Sequence, residues 1–307
     1  MEMMNGPVLC VMAAGMGSRF GGLKQIQQVD DGGHSLMDYA IYDAKKAGFS
    51  EVVFIIREEF ADAFREAVGD RVAEKMPVQY VFQALDRLPQ GAEIPEGREK
   101  PWGTTHAIWC AADALRDKTF VTINADDFYG YDSFRLASSF TAEGGPDNEF
   151  ACIGYNVVKT LSPSGTVSRG ICRVDGEGKL VRIDERKEIK LEDEKGFFTL
   201  DGGETYEPIP EDAVASMNMW VFRPGFIRDI EKTFPERLAA GIRENPLKYE
   251  ETLSDAVQDI LNRNEGEVRI IPTGAEWFGM TYPEDLPEVK RKLAEMQAAG
   301  EYPADRW

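Results

Sequence analysis

The sequence predicts an α/β fold, a mixed, mostly parallel sheet flanked by helices. Three observations predict it. Short apolar runs suited to buried strands alternate with helix-period segments over the first 145 residues, the pattern of a parallel sheet with crossover helices. The glycine-rich and aspartate-rich loops each follow directly on one of those runs, where open α/β sheets bind ligands. The second half then becomes richer in strands and turns, which predicts a mixed half joined to the parallel one.

Residues 8–12, all apolar, read as a buried strand that runs out into Ala13-Ala14-Gly15-Met16-Gly17-Ser18-Arg19-Phe20-Gly21-Gly22-Leu23-Lys24-Gln25. Four glycines within eight positions let this backbone approach a bound group closely, and Arg19 and Lys24 add two fixed positive charges. Glycine, N–H donors and cations at a strand end suit a phosphate group. The loop matches neither common phosphate motif. Phe20 stands where a dinucleotide fingerprint needs its last glycine, and Gly22 is followed by Leu23 where a Walker loop needs lysine.

Ser35 can cap a helix carrying Leu36, Ala40, Ile41 and Ala44. Residues 52–56 are continuously apolar, as in a strand covered on both faces. Phe60, Phe64 and Val68 mark a helix at four-residue spacing. Residues 78–82 form a third strand, followed by a charged, proline-containing segment at 84–102 that either folds over a ligand or is a surface insertion. A helix over 103–115 and a strand over 119–123 complete the first half. Beyond it, strands are expected at 150–158, 170–174, 180–183, 214–222 and 268–271, with helices starting at Pro224, near Leu253 and at Pro283. Residues 186–212 read as a hairpin and an irregular loop. With no linker or internal repeat, residues 1–307 read as one domain, its division falling near 145.

A formal net charge of −19 argues against nucleic acid or an anionic membrane as partner, since both would be repelled. No apolar run reaches the length of a membrane span. Cys10, Cys110, Cys152 and Cys172 are widely spaced, as buried thiols of a reducing compartment, so a cytoplasmic protein is expected. With only His34 and His106, a His/Cys zinc site is not expected.

The 13–25 loop resembles the Ala-Ala-Gly-x-Gly-Ser/Thr-Arg…Pro-Lys signature of sugar-1-phosphate nucleotidyltransferases, with Leu23 in place of the proline. The resemblance implies a nucleotide-diphospho-sugar transferase fold, a glycosyltransferase-A-like variant of the Rossmann type. It also implies transfer of a nucleotidyl group from a nucleoside triphosphate to a sugar 1-phosphate. On this resemblance Ala13, Ala14, Gly15, Gly17 and Ser18 contact the nucleotide, while Arg19 and Lys24 act on the reacting phosphates. Asn124-Ala125-Asp126-Asp127 is similar to the family's Asn-Gly-Asp segment, which implies magnesium on Asp126, with Asp127 a second candidate. These are also the hard oxygen ligands that magnesium prefers. Gln83 and Gly103-Thr104-Thr105-His106-Ala107 resemble the family's base-reading elements, giving Gln83, Gly103 and Thr104 that role and leaning towards a pyrimidine. His106 itself reads as a packed helix residue. Gly170, Glu185 and Lys187 resemble the sugar-phosphate segment, and Asn218 lies on the strand where a further sugar contact falls. The second metal aspartate that many relatives carry in Trp-x-Asp is Gly279 here.

Three other readings stand beside this one. A cytidylyltransferase of a phosphorylated alcohol or amino alcohol would use Trp102, Trp220 or Trp277 against a cationic head group. A glycosyltransferase of similar fold would have no need of the Arg19 and Lys24 loop. A non-catalytic nucleotide-sugar sensor would tolerate Gly279. A homo-oligomer is compatible with the sequence, which specifies neither the base nor the sugar.

Overall fold

The computed structural model describes residues 6–15, 24–162, 165–280 and 282–303. The parallel half begins with β1 (Val8–Met12), α1 (Leu36–Lys46) and β2 (Glu51–Ile56). The expected helix near Phe64 is α2 (Ala61–Phe64) and α3 (Asp70–Ala73), separated by a π turn at Arg65–Gly69. Gly69 has a packing reason: a Cβ there would run into the Tyr80 hydroxyl and ring. Next come β3 (Val78–Phe82), α4 (Thr104–Cys110), α5 (Ala112–Leu115), β4 (Phe120–Asn124), β5 (Asp127–Phe128) and α6 (Tyr131–Glu143).

The second half contributes β6 (Glu149–Asn156), β7 (Val167–Val174), β8 (Leu180–Glu192), β9 (Lys195–Phe198), β10 (Glu207–Pro208) and β11 (Val214–Phe222). It closes with α7 (Gly225–Glu244), α8 (Leu253–Asn262), β12 (Glu267–Pro272), β13 (Phe278–Gly279) and α9 (Leu286–Ala298). The hairpin expected in 186–212 is thus a longer β8 turning into β9.

The described residues form an 11-stranded sheet in which β10-β9-β8-β7-β11-β4-β1-β2-β3 is one path, with β6 on β11 and β12 on β6. Strands β3, β2, β1 and β4 run parallel, whereas β11 is antiparallel to β4, β6 and β7. One sheet therefore serves both halves of the chain. Its parallel strands are apolar without alternation because both faces are covered. Leu9 and Val11 join one core cluster, while Val8 and Cys10 join the other. Ser35 caps α1 as expected, its N–H and hydroxyl both donating to Asp38 Oδ2 at 2.8 Å.

A second, small sheet pairs β5 with β13. Phe128 and Phe278 stack there with centroids 4.5 Å apart, and α9 packs Val289 and Leu293 into the same cluster. In that cluster Tyr302 donates to buried Asp43 Oδ2 at 2.7 Å. Burial pushes the Asp43 carboxyl up to about 7, against the opposing effect of the Tyr302 hydrogen bond. Ionisation of Asp43 is therefore resisted by the folded state, and its contribution to stability is lost as pH rises from about 4 through about 7. Asp43→Asn should remove that part of the pH dependence, a difference of about 2–4 kcal/mol between the two pH limits. Urea unfolding of both proteins at pH 5 and pH 8 checks it; parallel pH profiles would refute the assignment.

All four cysteines are buried free thiols. No described helix is long and apolar enough to cross a membrane.

Candidate active site

The site begins at the carboxyl ends of neighbouring parallel strands. Met12 pairs with Asn124 and with Ile55, so the loops leaving β1 and β4 emerge side by side. Ala13 N–H donates to Ile55 O at 2.8 Å, and Gln83 N–H to Ile56 O at 2.9 Å, which brings the end of β3 to the same edge. Gln25 Nε2 donates to Gly15 O, tying the two described ends of the glycine loop together. Gly17, Ser18 and Arg19 lie outside the described residues.

Gly15, Lys24, Gln83, Gly103, Thr104 and Asp126 all line one cavity of about 340 Å³, together with Ala14 and Asn124. Ala13 is buried in the core beneath it. Lys24 Nζ lies 2.5 Å from Asp126 Oδ2, so a cation from one strand end meets a carboxylate from the other across 102 residues of sequence. Gly103 adopts φ +96°, and a Cβ there would strike the Glu251 carbonyl and lie 2.6 Å from its nitrogen. Only glycine admits that approach. The contact is a clasp: Thr105 N–H donates to Glu251 O at 3.1 Å, Glu251 N–H to Trp102 O at 3.0 Å, and Leu253 N–H to Thr104 Oγ1 at 2.9 Å. The Thr104 hydroxyl oxygen thus serves the clasp as an acceptor. Glu251 is buried on Arg237 and Tyr249; burial raises its carboxyl pKa, and the Arg237 hydrogen bond opposes that rise.

The 84–102 segment is held to the body of the protein, and its Pro101 lines the same cleft. The Arg98 guanidinium is buried on the carbonyls of Lys100, Pro101, Pro246 and Tyr249 and stacks 3.6 Å from the Trp102 ring centroid. This cation holds the segment to residues 246–249.

Asp127 turns inward from Asp126. Its Oδ2 accepts from Asn124 Nδ2 at 2.8 Å and from the Tyr129 hydroxyl at 3.4 Å. Burial, then the neighbouring Asp126 charge, pushes its carboxyl up to about 7. Asp127 stands opposite Gly279 in the β5–β13 pair, and a Cβ at 279 would run into Asp127 Oδ1. The carboxylate of 127 therefore fills the space a side chain at 279 would take. Gly279→Ala should cost about 1–3 kcal/mol through this clash, and much less in an Asp127→Ala background. A double-mutant cycle of denaturant midpoints reads the coupling, and additive effects would exclude the contact.

A second cavity of about 700 Å³ is lined by Arg169, Glu185, Lys187, Glu188, Thr199 and Tyr282, among others. Gly170 pairs with both Ser216 and Glu185, and a Cβ on it would meet Ile183 Cγ2 at 3.0 Å. Partial loss of hydration and then Asp255 raise the Glu185 carboxyl pKa, while Lys187 and Arg169 oppose the rise. Between Arg169/Arg186 and Val167/Ile189, three steps on β8 oppose two on β7, a bulge that carries Glu188 at φ +53°. A second bulge interrupts β11 between Ser216 and Trp220, with Asn218 at φ +59°. It turns Asn218 towards the end of β4, where its Nδ2 donates to Asn124 Oδ1 at 3.2 Å. Asn218 consequently supports the aspartate loop and does not line the larger cavity.

Two residues were missed by sequence reasoning. Asn124 joins Asp127 to Asn218. Arg169 lies over the Trp277 ring at 4.9 Å and donates to Thr160 O at 2.5 Å; burial lowers its pKa, opposed by Asp127 and Glu185. Its position beside Gly170 was the available signal. The three tryptophans offered to a cationic head group are buried, and the protein's own Arg98 and Arg169 already cover two of them.

The fold is a mixed α/β sheet with a cleft at the carboxyl ends of its parallel strands and a second cavity beside β7 and β8. The family model described as Nucleotidyl transferase matches residues 9–296, and the chain belongs to that family. It is 23% identical over 290 residues to the low-salt glycan biosynthesis nucleotidyltransferase Agl11 of Haloferax volcanii, covering 93% of this chain and 65% of that protein. The chain thus spans under two thirds of that relative's length. Its fold is similar to that of the inositol-1-phosphate CTP transferase from T. maritima (TM-score 0.63, 12% identity, 95% and 97% of the two chains covered). It is also similar to a putative glucose-1-phosphate thymidylyltransferase from Bacillus anthracis (0.63, 14%, 92% and 94%). A UDP-glucose pyrophosphorylase complexed with UDP-glucose shares the fold as well (0.60, 17%, 94% and 98%).

Proposed function

We propose that this protein is a nucleotidyltransferase that joins a nucleoside triphosphate and a sugar 1-phosphate. A phosphate oxygen of the sugar 1-phosphate attacks the α-phosphorus, the bond from that phosphorus to the β-phosphate oxygen breaks, and pyrophosphate leaves. The observation that carries the reading is the meeting of Lys24 and Asp126 in the cleft that Gln83 and Gly103 also line. Little covalent chemistry falls to the protein in such a transfer; positioning and charge stabilisation supply the rate.

Lys24, with Arg19, stabilises charge on the triphosphate and the departing pyrophosphate. Gln83 and the Gly103 backbone hold the base. Lys187 orients the incoming phosphate, and Glu185 accepts hydrogen bonds from sugar hydroxyls. Among the described residues no three His, Cys, Asp or Glu side chains converge, so the chain offers the Asp126 carboxylate at the cleft, with Asp127 turned inward behind it, and no full metal cage. That donor set fits magnesium, which keeps waters and takes further oxygens from substrate phosphates. When bound, magnesium would neutralise phosphate charge beside Asp126. Pyrophosphate release should be screened over nucleoside triphosphates paired with phosphorylated sugars and alcohols, with magnesium present. Turnover with a sugar 1-phosphate supports the reading. Nucleotide-sugar binding without turnover for any pair favours a sensor instead.

A further inference from the structure

The Gln83 amide has its orientation dictated by its neighbours. Its terminal nitrogen lies 3.1 Å from the Gly103 carbonyl oxygen and 3.1 Å from His106 Nδ1. On the far side of the ring, His106 Nε2 lies 2.6 Å from the Arg87 carbonyl oxygen. A carbonyl can only accept, so Nε2 carries the ring proton. Cys110 Sγ, 3.4 Å from the same nitrogen, is a weaker neighbour. Burial pushes the imidazole pKa down to about 4, so at neutral pH the ring is uncharged and Nδ1 bears a lone pair. Two acceptors therefore face the same end of the amide. Turning the amide over would set Oε1 against both, so this end must be the NH₂ and both its hydrogens are used. What remains for the cleft is Oε1, which has no protein partner among the described residues.

We propose that His106 is a positioning residue for base selection: it holds Gln83 as a pure acceptor, so the cleft favours a base with a ring N–H between two carbonyls, uracil or thymine, over cytosine. The inference rests on the nucleotidyltransferase reading and deepens it. Cytosine carries a lone pair at the ring position where uracil and thymine carry N–H, and lone pair against Oε1 is repulsive. Cytosine can donate through its exocyclic amine only by shifting the ring, while the phosphates stay at Lys24. The packed helix residue of the sequence reading thus acts through the amide it packs against.

Specificity constants for UTP, dTTP and CTP, with calorimetric dissociation constants for the same nucleotides, test this. The wild-type protein should favour UTP or dTTP over CTP by roughly 10- to 100-fold. His106→Leu removes the acceptor and frees the amide to rotate, so the ratio should fall towards one. That loss should appear in KM for the favoured nucleotide more than in kcat. His106→Asn, whose Oδ1 stands near the Nδ1 position, should restore the preference. Gln83→Leu, with His106 intact, should collapse the same ratio by a second route if the leucine variant at 106 does not fold. A wild-type preference for CTP, or an equal loss of all three nucleotides in both leucine variants, overturns the proposal. Turnover with unaltered base selectivity would refute this inference alone. Base-selective binding without turnover would refute the nucleotidyltransferase reading and leave the inference standing.

Discussion

Lys24→Ala lowers nucleotidyl transfer by about two to four orders of magnitude, or about 3–5 kcal/mol of transition-state stabilisation, with little loss of fold. The chemical side of this expectation is that phosphoryl charge builds up where Lys24 meets Asp126 at 2.5 Å. The structural side is that neither residue holds the core together. Their side chains keep 13% and 29% of their exposure, so removing the ammonium returns the carboxylate to water. The pair is part-buried at the edge of the cleft, so cutting away one partner should cost about 1–3 kcal/mol of stability and leave the fold in place. Asp126→Ala should give a similar loss of turnover. Pyrophosphate release with saturating substrates reads the rate, and a melting curve reads the fold. Near-normal release by Lys24→Ala would remove that lysine from the mechanism.

Gly103→Ala should damage both stability and nucleotide binding. The residue sits at φ +96°, where any side chain is strained, and the new Cβ would press on the Glu251 backbone. Left-handed strain and displacement of a packed segment together cost about 2–4 kcal/mol. The Glu251 segment cannot retreat cheaply, because it is bonded to Trp102 and Thr105 through the backbone and to Arg237 through its carboxylate. The Gly103 carbonyl also accepts from Gln83, so its movement frees the Gln83 amide in the cleft. Denaturant unfolding and calorimetric titration with nucleotide would show the two effects. An alanine variant with unchanged midpoint and affinity would mean that the 251 segment yields freely, and the clasp would lose its role.

Most of the first half was legible because its signals are local. A glycine loop, a closing Gln83 and an aspartate pair each follow an apolar strand, and adjacent parallel strands must deliver their carboxyl ends to one edge. Strand and helix order was legible for the same reason, through burial period and caps. Less was legible where one residue's role depends on a distant partner. The charged 84–102 segment left two roles open; the clamp made by its Arg98 comes from carbonyls about 150 positions away.

By itself, then, the sequence determined the α/β alternation, the membership of Gly15, Lys24, Gln83, Gly103 and Asp126 in one cleft, and the family. Tertiary structure alone decided which way the remaining groups face. Bulges turned Asn218 towards Asn124 and set Glu188 in the left-handed region beside the larger cavity. The β5–β13 pair laid the Asp127 carboxylate in the space above Gly279. Gly103 O and His106, itself held on Arg87 O, set the sense of the Gln83 amide. The physical reason is common to all three. Local sequence sets where a strand ends, but a bulge, a void over a glycine or the sense of an amide is set by what packs against it.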